Sequence, residues 1–144
     1  MVDKMLLHAS CIAINHKAVL LLGPSGIGKS DLALRLIDEG AGLVSDDQTL
    51  LHLDADGSVL ASSPPSIAGL MEIRHIGLVK MPFIAAVPVA LYIELILSDQ
   101  NLERLPDEDF ISLLDRPVPR LKLPSVAAST PAKIRAALTY AKIK

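Results

Sequence analysis

Gly23-Pro24-Ser25-Gly26-Ile27-Gly28-Lys29-Ser30 fills every fixed position of the pattern G-x-x-x-x-G-K-[ST]. An apolar run, Val19 to Leu22, leads into it. After it, Leu32, Leu34, Leu36 and Ile37 stand among Arg35, Asp38 and Glu39. That spacing predicts a helix of about ten residues stopped at Gly40. Strand, glycine-rich turn and helix, in that order, are the setting in which a loop wraps a phosphate. The backbone curls so that several N–H groups point inward, some at dihedrals that a Cβ forbids, and the helix dipole adds to the attraction. Gly23, Pro24, Ser25, Gly26, Ile27, Gly28, Lys29 and Ser30 are therefore expected to bind a nucleoside triphosphate such as ATP. Lys29 would bring an ammonium to the β- and γ-phosphates and Ser30 a hydroxyl to Mg²⁺. The plain alternative is a turn that merely joins strand to helix.

Outward from the loop, Leu6 to Ile14 and Val19 to Leu22 flank Asn15-His16-Lys17, which predicts two paired strands and a tight turn. Leu43-Val44 predicts a short buried strand, lying beside the loop strand and running into Ser45-Asp46-Asp47. Thr49 to Leu53 predicts another, turned at Asp54-Ala55-Asp56-Gly57. Ser62-Ser63-Pro64-Pro65 cannot continue a ladder, because proline lacks the donor, and marks a loop before Leu70-Met71-Glu72-Ile73-Arg74. Val87 to Leu97 predicts a central strand holding a lone Glu94. From Leu102 to Pro124, Pro106, Pro117, Pro119 and Pro124 predict only short extended pieces and turns. Thr130-Pro131 predicts the capped start of a terminal helix with Ile134, Ala137, Leu138 and Ala141 along one face. An α/β fold in a single domain spanning residues 1–144 follows.

The chain of 144 residues is 51% hydrophobic, with a mean hydropathy of +0.44, the balance of a folding rather than a disordered sequence. Its apolar stretches are broken short of the roughly 18 to 20 residues that a membrane-spanning helix needs, and Met1-Val2-Asp3-Lys4 runs straight into a strand-like stretch. Neither leader nor anchor is expected. A lone Cys11 makes no internal disulfide and reads as a small buried hydrophobe, so the expected location is cytoplasmic. A net charge of −2, with two Phe, two Tyr and no Trp, argues against a nucleic-acid-binding surface.

Phosphoryl transfer needs carboxylates for metal and for the attacking oxygen, and Asp46-Asp47 supplies two at a strand end. One can face Mg²⁺ and the other the acceptor hydroxyl. Side chains alternate along an extended segment, so the pattern leaves open which does which. A solvated turn is the plain alternative. His8 stands in an apolar stretch, where a core histidine satisfied by the backbone is the simpler expectation. Glu72 and Arg74 share a face if their segment is extended; an ion pair on a solvated edge is the alternative. Arg104 and Arg120 read as surface residues.

Four features resemble the C-terminal catalytic domain of HPr kinase/phosphorylase, the bacterial enzyme that phosphorylates a serine of the phosphocarrier protein HPr. They are His8, the loop Gly23 to Ser30 followed by Asp31, Leu43-Val44-Ser45-Asp46-Asp47, and Pro64-Pro65 with Met71-Glu72-Ile73-Arg74-His75-Ile76-Gly77-Leu78-Val79. The resemblance implies catalytic roles for His8, Lys29 and Asp47, Mg²⁺ binding by Ser30 and Glu72, and Arg104 as counterpart of a further catalytic arginine. It implies a mixed, largely antiparallel sheet resembling that of phosphoenolpyruvate carboxykinase, flanked by few helices, and a homo-oligomer, a hexamer. It also implies the short form without the N-terminal domain of longer members, acting in a regulatory phosphotransferase system.

The chain departs from the family pattern at Pro24 and His75, where Asp and Gly are usual, and between Val79 and Pro117, where it is shortened. Leu123 to Ser129 replaces a late segment tied to phosphorolysis, so kinase activity is the firmer implication. Two other readings remain. A small-molecule kinase or NTPase of the adenylate-kinase type is disfavoured by the single arginine, Arg74, between Asp47 and Ser98. A nucleotide-binding regulatory module without turnover is disfavoured by the presence of His8, both aspartates and Glu72.

Overall fold

The computed structural model describes residues 3–143; Met1 and Val2, at the head of the opening stretch, and Lys144 lie outside them. In chain order the elements are β1 (Lys4–Leu7), β2 (Ser10–Ile14), β3 (Lys17–Leu22), α1 (Lys29–Asp38), β4 (Gly42–Ser45), β5 (Thr49–Leu53) and β6 (Val59–Ser62). A 3-10 turn at Pro65–Ile67 precedes β7 (Leu70–Ile73), β8 (Gly77–Lys80), β9 (Val87–Ile96), β10 (Phe110–Leu113), β11 (Arg116–Pro124) and α2 (Thr130–Thr139).

The expected hairpin forms between β2 and β3, with Asn15 (φ 48) and His16 (φ 63) supplying the left-handed turn that matches strand twist. The apolar stretch before it is not one strand. It breaks at His8-Ala9, where Ala9 N–H donates back to the Leu7 carbonyl at 2.9 Å. β1 leaves to pair with β5, while β2 stays with β3.

The long strand β9 organises the main sheet. It lies parallel to β3 along one edge. Its other edge is shared: Val87 and Pro88 meet β6 antiparallel, and Tyr92 to Ile96 meet β11 in parallel. The remaining pairs of the sheet are antiparallel, which makes it mixed and largely antiparallel as expected. β7 and β8 form a separate hairpin. β4 does not lie beside the loop strand; it pairs with β2, because β2 and β9 occupy both edges of β3.

The proline-rich stretch holds a longer strand than its sequence suggests. β11 runs nine residues through Pro117 and Pro119, which lie in the half paired only with β10; pairing with β9 begins at Arg120. Thr130 does not cap α2. Its hydroxyl donates backward to the Pro124 carbonyl at 2.6 Å, and the helix ends at Thr139, short of Ala141.

Both faces of β2 and β3 are buried, as their unbroken apolar runs require. Ile12, Val19 and Leu21 join Leu32, Leu36 and Ile134 of the helices in one cluster. Cys11, Ala13, Ala18 and Leu20 join Leu51, Ala61, Leu113 and Val118 in the other. Burial pushes the Cys11 thiol pKa up. No helix among the described residues is long and apolar enough to cross a membrane.

Candidate active site at the phosphate loop

Strand directions bring the expected site residues to one end of the sheet. β3 ends at Leu22 and hands the chain to the loop; β2 runs against it, so Ser10, opposite Leu21, starts at that end. β4 runs against β2, and Ser45 sits opposite Cys11. Asp46 and Asp47 therefore emerge beside His8 and Ser10, next to the loop.

Two glycines fix the loop's shape for different reasons. A Cβ on Gly23 would lie 2.8 Å from Ile27 Cγ2, too close for the turn that Ile27 N–H closes on the Pro24 carbonyl. Gly28 has φ 107 and is the residue from which α1 starts. No side chain caps that helix, so its first N–H groups are presented by backbone alone. Lys29 is buried, with its ammonium donating to the carbonyls of Gly23 at 2.7 Å and Pro24 at 3.3 Å.

The carboxylate of Asp46 is buried and collects three donors. Ser30 Oγ donates to Oδ1 at 2.7 Å, Ser10 Oγ to the same oxygen at 2.9 Å, and Glu72 N–H to Oδ2 at 3.3 Å. Asp47 is turned the other way. It is left-handed (φ 68), and its N–H donates to Ser10 Oγ at 3.2 Å. Its exposed carboxylate Oδ1 is 2.9 Å from Nε2 of an equally exposed His8. The two aspartates thus divide: one ties loop, β2 and β7 together, and the other faces solvent with a histidine.

His8 is accordingly no core residue. Glu72 stands on β7 with its side chain exposed, while Arg74 lies beyond the strand end in the turn; no ion pair joins them among the described residues. Arg104 lies in the exposed loop between β9 and β10, and among the described residues it has no hydrogen bond to His8, Lys29, Ser30, either aspartate or Glu72. Arg120, away from this site, is paired with Asp109 at 2.8 Å, which holds the Asp109 carboxyl below its ordinary range.

Sequence reasoning missed Ser10, which links both aspartates. The signal available was a small hydroxyl inside an otherwise apolar run. It also missed Thr49, whose hydroxyl fixes the Ala9 carbonyl at 2.9 Å, and Ser45, which donates to the Gln48 carbonyl to hold the acidic turn.

A family model described as the HPr serine kinase C-terminal domain matches residues 1–141. The chain belongs to the HPr serine kinase C-terminal domain family. Its likeness to proteins named HPr kinase/phosphorylase is 32% identity over 82% of this chain for that of Clostridium novyi (strain NT), and 34% over 82% for that of Thermoanaerobacter sp. (strain X514). The match covers 41% and 42% of those two relatives, so the chain spans about two-fifths of their length. A solved structure, described as the Hpr(Ser) kinase/phosphatase from Coxiella burnetii, superposes with a TM-score of 0.81 at 27% identity, covering 93% of this chain and 88% of that one. The family's large mixed sheet with few helices is the architecture described above.

Proposed function

We propose that this chain, as one domain over residues 1–144, is an ATP- and Mg²⁺-dependent serine kinase that phosphorylates the phosphocarrier protein HPr. One observation carries the reading: Ser30 of the loop shares the Asp46 carboxylate with Ser10, and Ser10 in turn holds Asp47 and hence His8. Phosphate-binding and proton-accepting groups thereby stand as one unit. Membership of the family and the names of its relatives support the substrate. The loop joining β3 to α1 supports a P-loop domain, and the mixed sheet agrees with a phosphoenolpyruvate carboxykinase-like arrangement.

The donor set suits a hard cation. Ser30 Oγ and the Asp46 oxygens already converge, and Glu72 is attached to the same carboxylate through its own N–H. Ser30 and Glu72 would hold Mg²⁺, which neutralises charge on the phosphate oxygens when bound. Backbone N–H groups of the loop other than those of Pro24, which has none, and Ile27, which is bonded to the Pro24 carbonyl, bind the β- and γ-phosphates together with the Lys29 ammonium. Asp47 accepts the proton of the acceptor serine as its oxygen bonds to the γ-phosphorus and ADP departs. His8 holds Asp47 in place, and Arg104 is the counterpart proposed for a further catalytic arginine. The working form is a cytoplasmic homo-oligomer, a hexamer.

The test is direct. Labelled ATP, Mg²⁺ and purified HPr are incubated with the chain, with and without added inorganic phosphate. Serine phosphate on HPr is expected, and its removal on adding phosphate would extend the activity to phosphorolysis. No label on HPr, or label on a small metabolite instead, overturns the reading.

A further inference from the structure

Ser125 follows the last residue of β11, at the same end of the sheet as the loop, because β3, β9 and β11 run parallel. Its backbone is fixed on two sides. The Ser125 N–H donates to the Ile96 carbonyl at 2.9 Å, and its own carbonyl accepts from Arg35 of α1. Its hydroxyl, fully buried, has no hydrogen-bond partner among the described residues. A buried hydroxyl left unpaired costs free energy, and with both backbone groups bonded the residue does not swing out to water.

The hydroxyl stands against Gly28. A Cβ placed on Gly28 would lie 3.5 Å from Ser125 Cβ and 3.6 Å from Ser125 Oγ. The peptide that joins Ile27 to Gly28 is itself unspent: among the described residues neither the Ile27 carbonyl nor the Gly28 N–H takes part in a hydrogen bond. α1 starts from Gly28 without a side-chain cap. A hydroxyl donor, a carbonyl acceptor and an N–H are thus left over at one place, the open end of the helix. A trans peptide points its N–H and its carbonyl in opposite directions, so an N–H turned to a phosphate leaves the carbonyl turned away from it.

Resting on the nucleotide-binding part of the kinase reading above, we propose that Ser125 is a positioning residue for the phosphate loop. Its hydroxyl donates to the Ile27 carbonyl when the Gly28 N–H bonds a phosphate of the nucleotide. Gly28, at φ 107 and without a side chain, lets that peptide turn. The new bond fixes the peptide and strengthens its N–H as a donor, because hydrogen bonds in a chain polarise one another. In the empty chain the hydroxyl stabilises nothing; in the loaded one it holds the loop on the phosphate.

The experiment places Ser125→Ala and Ser125→Cys in the full chain, the second filling the same place with a much weaker donor. Melting of the empty chain is followed by circular dichroism, Mg²⁺-ATP binding by calorimetry, and phosphate transfer to HPr at varied ATP. Empty Ser125→Ala should melt at the wild-type temperature or above it, since an unpaired hydroxyl has been removed. Both variants should bind Mg²⁺-ATP about fivefold more weakly, with KM for ATP raised alike and kcat within about twofold. A lowered melting temperature of empty Ser125→Ala, which a purely structural hydroxyl predicts, overturns the proposal. Wild-type ATP affinity in either variant also overturns it. Wild-type chain that binds Mg²⁺-ATP but labels no HPr sinks the kinase reading alone, and calorimetry still decides the role of Ser125; wild-type chain that binds no Mg²⁺-ATP sinks both.

Discussion

Ser30 Oγ and Ser10 Oγ donate to one and the same oxygen of Asp46, at 2.7 and 2.9 Å, although the three residues come from three different segments of chain. Removing that carboxylate strands two hydroxyls and the Glu72 N–H in a largely buried place. Asp46→Ala is expected to cost about 2 kcal/mol or more and to lower the melting temperature by roughly 5 °C. Mg²⁺-dependent ATP binding should fall with it. A variant with unaltered melting and ATP affinity would show that Asp46 does not organise the loop.

Asp47 should behave in the opposite way. It and His8 are each 67% exposed, so Asp47→Asn and His8→Ala should leave the melting temperature within about 1 °C. On the proposed mechanism, in which Asp47 accepts the proton, its replacement should lower kcat by about 10²- to 10⁴-fold, with ATP affinity retained. Calorimetric ATP binding and phosphate transfer, measured side by side, check this. Full transfer by Asp47→Asn would place the base elsewhere.

Cys11 supplies a check on the core. Its thiol is fully buried and its pKa pushed up by that burial, so the native chain should resist a thiol reagent at pH 8 and react completely in denaturant. The sign for stability follows. A folded-state pKa above the unfolded one means that the contribution is whole below the unfolded value, about 8.5, and is lost as pH rises above it. Melting curves at pH 7 and pH 10 should show the decline, and Cys11→Ala should lessen it.

The local signals reached the loop, α1, β5 and β9, because each rests on a spacing or an uninterrupted apolar run within its own segment. What stayed hidden was set by distant partners. The break at His8-Ala9 exists because β1 finds β5, and nothing in the apolar pattern from Leu6 to Ile14 announces it. The place of β4 beside β2 follows from competition for the edges of β3, which involves β9, more than forty residues later in the sequence. β11 was obscured by its prolines, of which Pro117 and Pro119 fall in the half paired only with β10 and Pro124 is its last residue. Of the candidate site, residue types and spacing pointed to Lys29, Ser30 and the aspartate pair. The division of labour between the aspartates and the linking role of Ser10 required the pairing of Cys11 with Ser45.

Gly28 and Gly40 offer a matched comparison. Both have strongly positive φ, 107 and 111, and in neither would an added Cβ meet anything closer than ordinary contact, so alanine at either costs backbone strain of about 1 to 2 kcal/mol. Only Gly28 belongs to the loop between β3 and α1 that is proposed to bind phosphate. Gly28→Ala should therefore weaken ATP binding by tenfold or so beyond its stability loss, whereas Gly40→Ala should lose stability alone. Equal ATP affinities in the two variants would remove the loop's backbone from nucleotide recognition.

Lys29 tests the loop's charge apart from its shape. Its ammonium is fixed between the Gly23 and Pro24 carbonyls at 2.7 and 3.3 Å in a buried position. Methionine keeps the length of the stem and removes both hydrogen bonds and the charge. Lys29→Met should cost about 1 kcal/mol in stability and weaken ATP binding by about 10- to 100-fold, with a smaller effect on ADP, which lacks the γ-phosphate. Lys29→Arg should not restore binding, because a planar guanidinium cannot replace a compact ammonium at two converging carbonyls. If Lys29→Met binds ATP and ADP as the wild type does, the ammonium belongs to the fold of the loop and not to the phosphates, and the transfer mechanism must find its positive charge elsewhere.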